Sequence, residues 1–493
     1  MRLLNLWVMT GMLVLLGACG ADEGSPGGGL DAADDVEFAD WKPSGKDAIV
    51  PDAIDATDTA DVADATGSDA AGTDAAGDAP DAADAPDAAK SDVIADVGGG
   101  LPSEITAITP AASLFDVQGI HEVKLTLNAA DWTAYMAGVD KPDSMKVYNW
   151  YQADLEVDGV AYASVGIKGF GNGSQIDNPG KPNVRVKFDQ FVTTGMGPQG
   201  EKAFRLKASG QDPSFIREPI AGAMLRAVGG NGPHFSWAHV TINGADFGPY
   251  ELQESVDKRF FHNFFGNNDG TKFEPVVGCL GIDCPASGGC AALKPVYVGS
   301  PGDAQAIVDA AQAITNATDE QLPAVLDQYF YTDELLADYA VDALLSNLDG
   351  FASAGQNFTF YGDEKTKKFH LIATGVDLTF GNFADAWYDL LTPWGPPNAW
   401  CGNRTDQLYL RIWANPVLKA KLLAKFQALQ CGLFKASTLL PIVESYQAAL
   451  KPFVYSDPKG IYTATQIDAN YVSLAEYITK RQKTLSDLLG PCK

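Results

Sequence analysis

Apolar and polar residues alternate through "YQADLEVDGVAYASVGIKGF" and again through "NVRVKFDQF". That spacing of two predicts half-buried strands across Gly119–Leu206, with Asp158-Gly159 turning the first hairpin. The pattern then shifts. "GQDPSFIREPIAGAMLRAVGG" predicts a helix, with Asp212 as N-cap, Pro213 in the first turn and a glycine pair at the end. Strands return in "WAHVTINGADFGPYELQES", where Asn243-Gly244 is a hairpin turn. From about residue 301 onward the apolar residues take helical spacing, in "PGDAQAIVDAAQAITNA", "DEQLPAVLDQYF", "TDELLADYAVDALLSNL", "LYLRIWANPVLKAKLLAKFQAL" and "YVSLAEYITKRQKTLSDLLG". The expectation is an α+β chain with two lobes: a mostly β first lobe carrying one prominent helix, then a mostly α second lobe. The roughly 390 residues after residue 100 suffice for two separate cores.

The first hundred residues have another character. "MRLLNLWVMTGMLVLLGACG" has an early Arg, an apolar run of signal-peptide length and small residues before Cys19. It is too short for a stable membrane span. Its ending resembles a bacterial lipobox, which implies that Cys19 is lipidated and becomes the mature N-terminus. Gly20 after it implies sorting to the outer membrane. Residues 20–100 are almost entirely Asp, Ala, Gly, Pro and Thr, a composition that buries too little apolar area to order itself and so predicts a disordered tether. About 21 acidic residues and about 3 lysines fall there, so roughly 18 of the formal 28 negative charges belong to the tether. The globular part is only mildly acidic, and without a basic stripe to replace phosphate counterions a nucleic-acid partner is not expected. Spaced Asp residues without a fixed ligand loop hold Ca2+ weakly at best.

Cysteine usage fits an exported chain. With Cys19 lipidated, Cys279, Cys284, Cys290, Cys401, Cys431 and Cys492 remain, an even number in an oxidising compartment, and disulfides are expected. The insertion at about 276–300, with "CLGIDCPASGGC", leaves zinc as the alternative, though it lacks a nearby His and the short paired spacing of zinc sites.

Chemistry-bearing residues recur at the edges of these elements. "GIKGFGNGS" sets Gly166, Gly169, Gly171 and Gly173 on a turn whose backbone N–H groups could approach an anion. Lys187 lies in a strand, Glu218 in the following helix, Asp349 and Asn357 in one loop, "NLDGFASAGQNF", and Asp377 at the end of "FHLIATGVD". Singly, each has a structural explanation as turn, solvated face or cap. In this order they match the parts of phosphoryl transfer: a cover for the phosphates, a cation held by a carboxylate, a base and oxygen ligands for Mg2+.

The blocks "VGIKGFGNGS", "KPNVRVKFD", "FRLKASGQDPSFIREPIAGAMLRAVG", "VTINGADFGPYELQESVDKRFF" and "NLDGFASAGQNFTFYGDEKTKKFHLIATGVDLTFG" resemble the successive motifs of the CotH family of spore-coat and secreted protein kinases, over roughly Asp116 to Trp413. The resemblance implies an atypical protein-kinase-like fold for 101–493, with the Cys-containing insertion and a C-terminal helical extension outside the shared core. It implies ATP with Mg2+ or Mn2+, and a protein substrate with Ser or Thr acceptors. By matching position it makes Asp349 the catalytic base, Asn357 and Asp377 the metal ligands, and Lys187 the phosphate-binding lysine with Glu218 as its helix partner. Lys168, beside Gly169 and Gly171, competes for that role, and Glu251 or Glu254 contacts the nucleotide or caps the link between lobes. Leu348 stands where many members have Trp, and Gly375 where many have the first Asp of a D-x-D pair. Two alternatives stay open: a surface-anchored binding or structural lipoprotein of kinase-like shape, and transfer of another nucleotide-derived group.

Overall fold

In the computed structural model, the described residues are 114–115, 117, 119–139, 148–171, 180–275, 293–297, 304–347, 350–352, 357–382 and 407–492. Cys19, the expected tether, Gly173, Cys279, Cys284, Cys290, Cys401 and Asp349 lie outside them. The chain is α+β, as its patterning predicts.

Seven strands close into a barrel: β1 (Ile120–Thr126), β2 (Tyr151–Val157), β3 (Val160–Gly169), β4 (Val184–Lys187), β5 (Ala203–Lys207), β6 (Phe235–Ile242) and β7 (Ala245–Glu254), in the order β1-β2-β3-β4-β5-β7-β6. Parallel pairing of β1 with β6 closes the ring, and the other pairs are antiparallel. Both predicted hairpin turns form, with φ of 51° at Asp158 and 83° at Gly159, and 51° at Asn243 and 78° at Gly244. Positive φ at both central residues is what a two-residue hairpin requires of Asp-Gly and Asn-Gly. Val165, Ile167, Val184, Val186, Phe204, Leu206, Tyr250 and Leu252 fill the interior. Because side chains alternate across a strand, Lys168, Arg185, Lys187, Arg205, Lys207, Glu251 and Gln253 stand on the outer face.

One helix interrupts the region expected to be only strands. α1 (Ala129–Val139) buries Tyr135 and Val139 against the barrel, and neighbouring Trp132 stacks on Tyr135. The predicted helix after β5 is α2 (Arg217–Ala227). It starts five residues beyond Asp212, whose carboxylate instead accepts from the backbone N–H groups of Ser214 and Arg217 and pairs with the Arg217 guanidinium. Both charged residues of its first turn, Arg217 and Glu218, are completely buried.

After α3 (Lys258–Phe265) a second sheet forms from β8 (Thr271–Pro275), β9 (Leu293–Tyr297), β10 (Phe358–Gly362) and β11 (Phe369–Ala373), ordered β11-β10-β8-β9. The helices are α4 (Ala304–Asn316), α5 (Leu322–Tyr329), α6 (Thr332–Leu345), α7 (Gln407–Ala414), α8 (Pro416–Cys431), α9 (Ala436–Tyr455) and α10 (Ala464–Leu489). The apolar run from Leu408 to Leu429 is two helices, because Asn415 takes an extended conformation before Pro416 and its side chain caps Val417 and Leu418. A large second core joins α2 and α6 to α8, α9, α10 and the inner faces of β10 and β11. Cys431 and Cys492 form a disulfide with Cα atoms 5.5 Å apart, tying the end of α8 to the residues after α10. The barrel is fastened to the α9–α10 loop by buried Lys181, whose Nζ donates to Asp457 and to the Pro249 carbonyl, each at 2.6 Å.

Candidate active site

β5 ends at Lys207, which register places beside Glu251 of β7. The Lys207 ammonium is ion-paired with Glu218 of α2, and both groups are buried. Burial alone would lower the lysine, but Asp377, Glu218 and Glu251 outweigh it and hold the ammonium above its ordinary range. Burial pushes the Glu251 carboxyl well up, with Glu218 and Asp212 adding to it. One ammonium therefore faces a crowded group of carboxyls, of which Glu251 accepts from the Ser209 hydroxyl at 2.7 Å.

The carboxyl-terminal part of the site comes from the open end of the β10–β11 hairpin. Asn357 precedes β10 in the left-handed region, φ 52°, and its carbonyl accepts from Thr374 N–H at 2.7 Å. The Asn357 side chain lies over Gly375, where an added Cβ would come within 3.1 Å of its Cγ. Two residues on, Asp377 is half-buried. Its flanks are fixed from α2: Val376 N–H donates to Glu218 Oε1 at 3.2 Å, and Arg217 Nε donates to the Thr379 carbonyl at 3.1 Å. Asp377, Asn357, Lys207 and Glu218 thus converge, although they are spread over 171 positions of sequence. A carboxylate beside an amide oxygen is a hard oxygen donor set that suits Mg2+ or Mn2+. Among the described residues no group of three or more His, Cys, Asp or Glu is arranged to hold a metal ion by itself, so such an ion would complete its shell from substrate phosphates and water.

Along β7 the same outer face carries buried atoms that hydrogen-bond to nothing among the described residues: Glu251 Oε1, Gln253 Oε1 and, just past the strand, Ser255 Oγ. Gln253 Nε2 donates to the Thr374 carbonyl at 3.1 Å, which joins this strip to the hairpin end. Three orphaned polar atoms at alternate positions fit a polar ligand better than a packed interior. Next to Gln253 in register stand Arg205, Arg185 and Lys168, one on each successive strand. Trp150 lies under both Lys168 and Arg185, each 5.6 Å from its ring centroid. Across from this row, burial would raise Glu274 of β8, yet Lys272, and behind it Arg205 and Arg185, bring its carboxyl to about 2.

The loop of Asp349 is anchored at both described ends. Ser346 ends α6 in the left-handed region, and its hydroxyl oxygen accepts from Arg481 and Tyr477 of α10 at 2.6 and 2.9 Å. Asp342 Oδ1 accepts from Asn347 Nδ2 at 2.7 Å and its Oδ2 from Ala352 N–H at 3.2 Å. Asp349 itself lies outside the described residues.

Two expected assignments need correction. Glu218 pairs with Lys207, not Lys187: Lys187 is opposite Ala203, at the far end of β5, about 13 Å from Lys207 at strand spacing. Lys207 stands on the next strand, β5, where Lys187 stands on β4. Of the two β7 glutamates, Glu251 faces Lys207, whereas Glu254 is held by His234, whose Nδ1 lies 2.7 Å away. Gly169 is required by packing, since an added Cβ would lie 2.5 Å from the Tyr148 ring. Gly171, at φ 88°, accepts from the Tyr148 hydroxyl through its carbonyl at 2.6 Å.

Against known families, the profile described as "CotH kinase protein" matches residues 171–485. The chain belongs to the CotH family. The inner spore coat protein H of Bacillus subtilis (strain 168) is 24% identical over 371 residues, which span 71% of this chain and 91% of that protein. Invasin CotH2 of Rhizopus delemar (strain RA 99-880) is 25% identical over 237 residues, 46% of this chain and 39% of the invasin. The CotH match takes in Lys207, Glu218, Asn357 and Asp377 together with helices α7 to α9, so the helical extension expected beyond the shared core falls largely inside the family region.

Proposed function

We propose that this CotH protein is an ATP-dependent protein kinase with a two-lobed, kinase-like layout, phosphorylating Ser or Thr hydroxyls of proteins outside the cytoplasm. The observation that carries the reading is the buried Lys207–Glu218 pair set against Asp377, beside an amide at Asn357. A lone ammonium among carboxyls is otherwise a costly arrangement to bury. Lys207 would hold the nucleotide phosphates, with Arg185, Arg205 and Lys168 supplying further positive charge along the same face. Asn357 and Asp377 would hold the divalent ion, which when bound neutralises the phosphates. The acceptor oxygen attacks the γ-phosphorus as the bond to the β–γ bridging oxygen breaks, and its proton passes to the Asp349 carboxylate. The unpartnered strip on β7 gives the nucleoside acceptors and a hydroxyl to bond.

The same proposal places the protein at the cell surface, anchored to the outer membrane through lipidated Cys19. The names of the relatives, a spore coat protein and an invasin, support an exposed setting. No helix among the described residues is long and apolar enough to cross a membrane.

The test is metal-dependent ATP binding and transfer of labelled phosphate to protein, compared between the unaltered chain, Lys207→Met, Asp377→Ala and Asp349→Asn. Kinase action requires that Lys207→Met and Asp377→Ala weaken binding, and that Asp349→Asn keep binding while losing at least about tenfold in transfer. Failure of the unaltered protein to bind ATP with any of several metals would instead favour a binding or structural lipoprotein.

A further inference from the structure

The pair that fastens the barrel to the α9–α10 loop holds chemistry that the kinase reading leaves unused. The Lys181 side chain is completely buried and that of Asp457 only 6% exposed, and Nζ lies 2.6 Å from Oδ2 across 276 positions of sequence. The rings of Tyr250 and Phe215 cover the ammonium, with centroids 4.8 and 5.4 Å away, and the Pro249 carbonyl accepts another of its hydrogens at 2.6 Å. The carboxyl is fixed as closely. Its Oδ1 accepts from the Lys459 N–H at 2.9 Å and backs onto Gly248, at φ 73°, where an added Cβ would strike it. Because Oδ2 is bonded to Cγ, Nζ stands less than about 4 Å from that carbon, close to the ~3–3.5 Å of groups poised to react. Burial lowers the Lys181 ammonium against the pull of Asp457, so that a proton passed to Oδ2 leaves a neutral amine beside a neutral acid. Lys207 differs: against burial, Asp377, Glu218 and Glu251 keep it an ammonium, which has no lone pair to attack with.

We propose that Lys181 and Asp457 condense in the folded protein, forming an isopeptide bond between Nζ and Cγ. Nζ gives one proton to Oδ2, and its lone pair then attacks Cγ. The carbonyl electron pair moves onto Oδ1, where the Lys459 N–H meets the developing charge. A second proton passes from Nζ to Oδ2, the Cγ–Oδ2 bond breaks with its electron pair, and Oδ2 leaves as water while the pair on Oδ1 restores the carbonyl. One water is lost, nothing is oxidised or reduced, and the amide keeps one hydrogen for the Pro249 carbonyl. The aromatic cover serves the step by excluding solvent, which would otherwise hold both groups in their charged forms. The product joins the barrel to the helical part by a bond that survives unfolding and, unlike the Cys431–Cys492 bridge, reduction. It stands independently of any phosphate transfer.

The experiment is peptide mapping of the full chain, purified folded and then reduced and denatured, beside Lys181→Arg, which keeps the charge and has no amine to condense. Trypsin should release from the unaltered protein one branched peptide that joins the Lys181 and Asp457 segments and is lighter by one water than the two linear peptides together. Lys181→Arg should give linear peptides only. A succinimide at an Asp-Gly step loses the same water but leaves both segments linear, so a mass deficit without the branched peptide counts against the bond. Asp457 itself precedes Pro458, which has no N–H with which to form a succinimide. Acid gives a second readout, because acid cleavage of an Asp-Pro bond needs the free side-chain carboxyl. The chain has two such bonds, Asp212–Pro213 and Asp457–Pro458. Mild acid should cut the denatured unaltered protein at the first alone and Lys181→Arg at both. The unaltered protein decides the matter even if the variant folds poorly: recovery of both segments as linear peptides only, or acid cleavage at Asp457–Pro458, overturns the proposal.

Discussion

Replacing Lys207 with Met tests the central arrangement, because it removes the ammonium and leaves the apolar stem. Glu218 would then be a fully buried carboxyl whose one remaining partner among the described residues is the Val376 N–H, with Asp377 and Glu251 close by. Breaking a buried pair by deleting one partner costs about 3–5 kcal/mol. For a protein of this size, that is a fall of about 4–8 °C in Tm. Lys187→Met, at a half-buried strand position opposite Ala203, removes a charge of the surface kind and should cost no more than about 1 kcal/mol. The pH dependence carries a sign. Without the ammonium, the folded Glu218 holds its proton to higher pH than the unfolded one, so between about pH 4 and the raised folded value the native state binds more protons. Stability of Lys207→Met relative to the unaltered protein should therefore fall as pH rises, and the gap in Tm at pH 8 should exceed that at pH 5. Thermal unfolding of both variants at the two pH values decides the matter. Equal losses for Lys207→Met and Lys187→Met, or a gap that does not grow with pH, would refute the buried pair.

Serine at both Cys431 and Cys492 should lower stability by about 2–4 kcal/mol, since the bridge closes a span of 61 residues, and denaturant titration of oxidised and reduced protein would measure it. Burial, with Glu254 nearby, raises Glu201 to about 7, so its ionisation costs stability as pH climbs from about 4 to 7; Glu201→Gln should be more stable than the unaltered protein at pH 8 and no more stable at pH 4. Gly375→Ala should weaken metal-dependent ATP affinity severalfold by pushing the Asn357 side chain off its seat, and an unchanged affinity by calorimetry would show that Asn357 is not held there.

Local rules carried much of the fold. Alternation found the strands, and Asp158-Gly159 and Asn243-Gly244 turned where their left-handed tolerance allows. α1 escaped notice because it sits among strands and buries mainly Tyr135 and Val139, too narrow a stripe to stand out. The break at Asn415 was legible in principle, since Pro416 follows it. Lys207 was harder to find. In "FRLK" it reads as one more outward lysine, as Lys187 does in "VRVK", and only the position of α2 across the end of β5 tells them apart. Nothing in local pattern says that Arg217 and Glu218 are completely buried, because their partners, Thr379 and Lys207, lie 162 positions ahead and 11 behind.

Those two neighbours on α2 explain why the site can be built from distant segments at all. Arg217 and Glu218 reach the 376–379 segment on either side of Asp377, through the Thr379 carbonyl and the Val376 N–H. Glu218 also reaches the barrel through Lys207, and Arg217 reaches α10 through Asn470 at 2.7 Å. The barrel cannot move relative to Asp377 without breaking a buried ion pair, and α10 cannot move relative to α2 without uncovering a guanidinium. Each break costs kilocalories in a dry interior. So the separation between the Lys207 ammonium and the Asp377 carboxylate is set by the folded core before any ligand arrives. Farther along the same outer face, Lys168, Arg185 and Arg205 stand side by side on β3, β4 and β5, and Arg205 and Arg185 act on the carboxyl of Glu274 in β8. Under the proposed function, groups fixed in this way by the folded core would meet the nucleotide without reorganising, which is where preorganised charge contributes most.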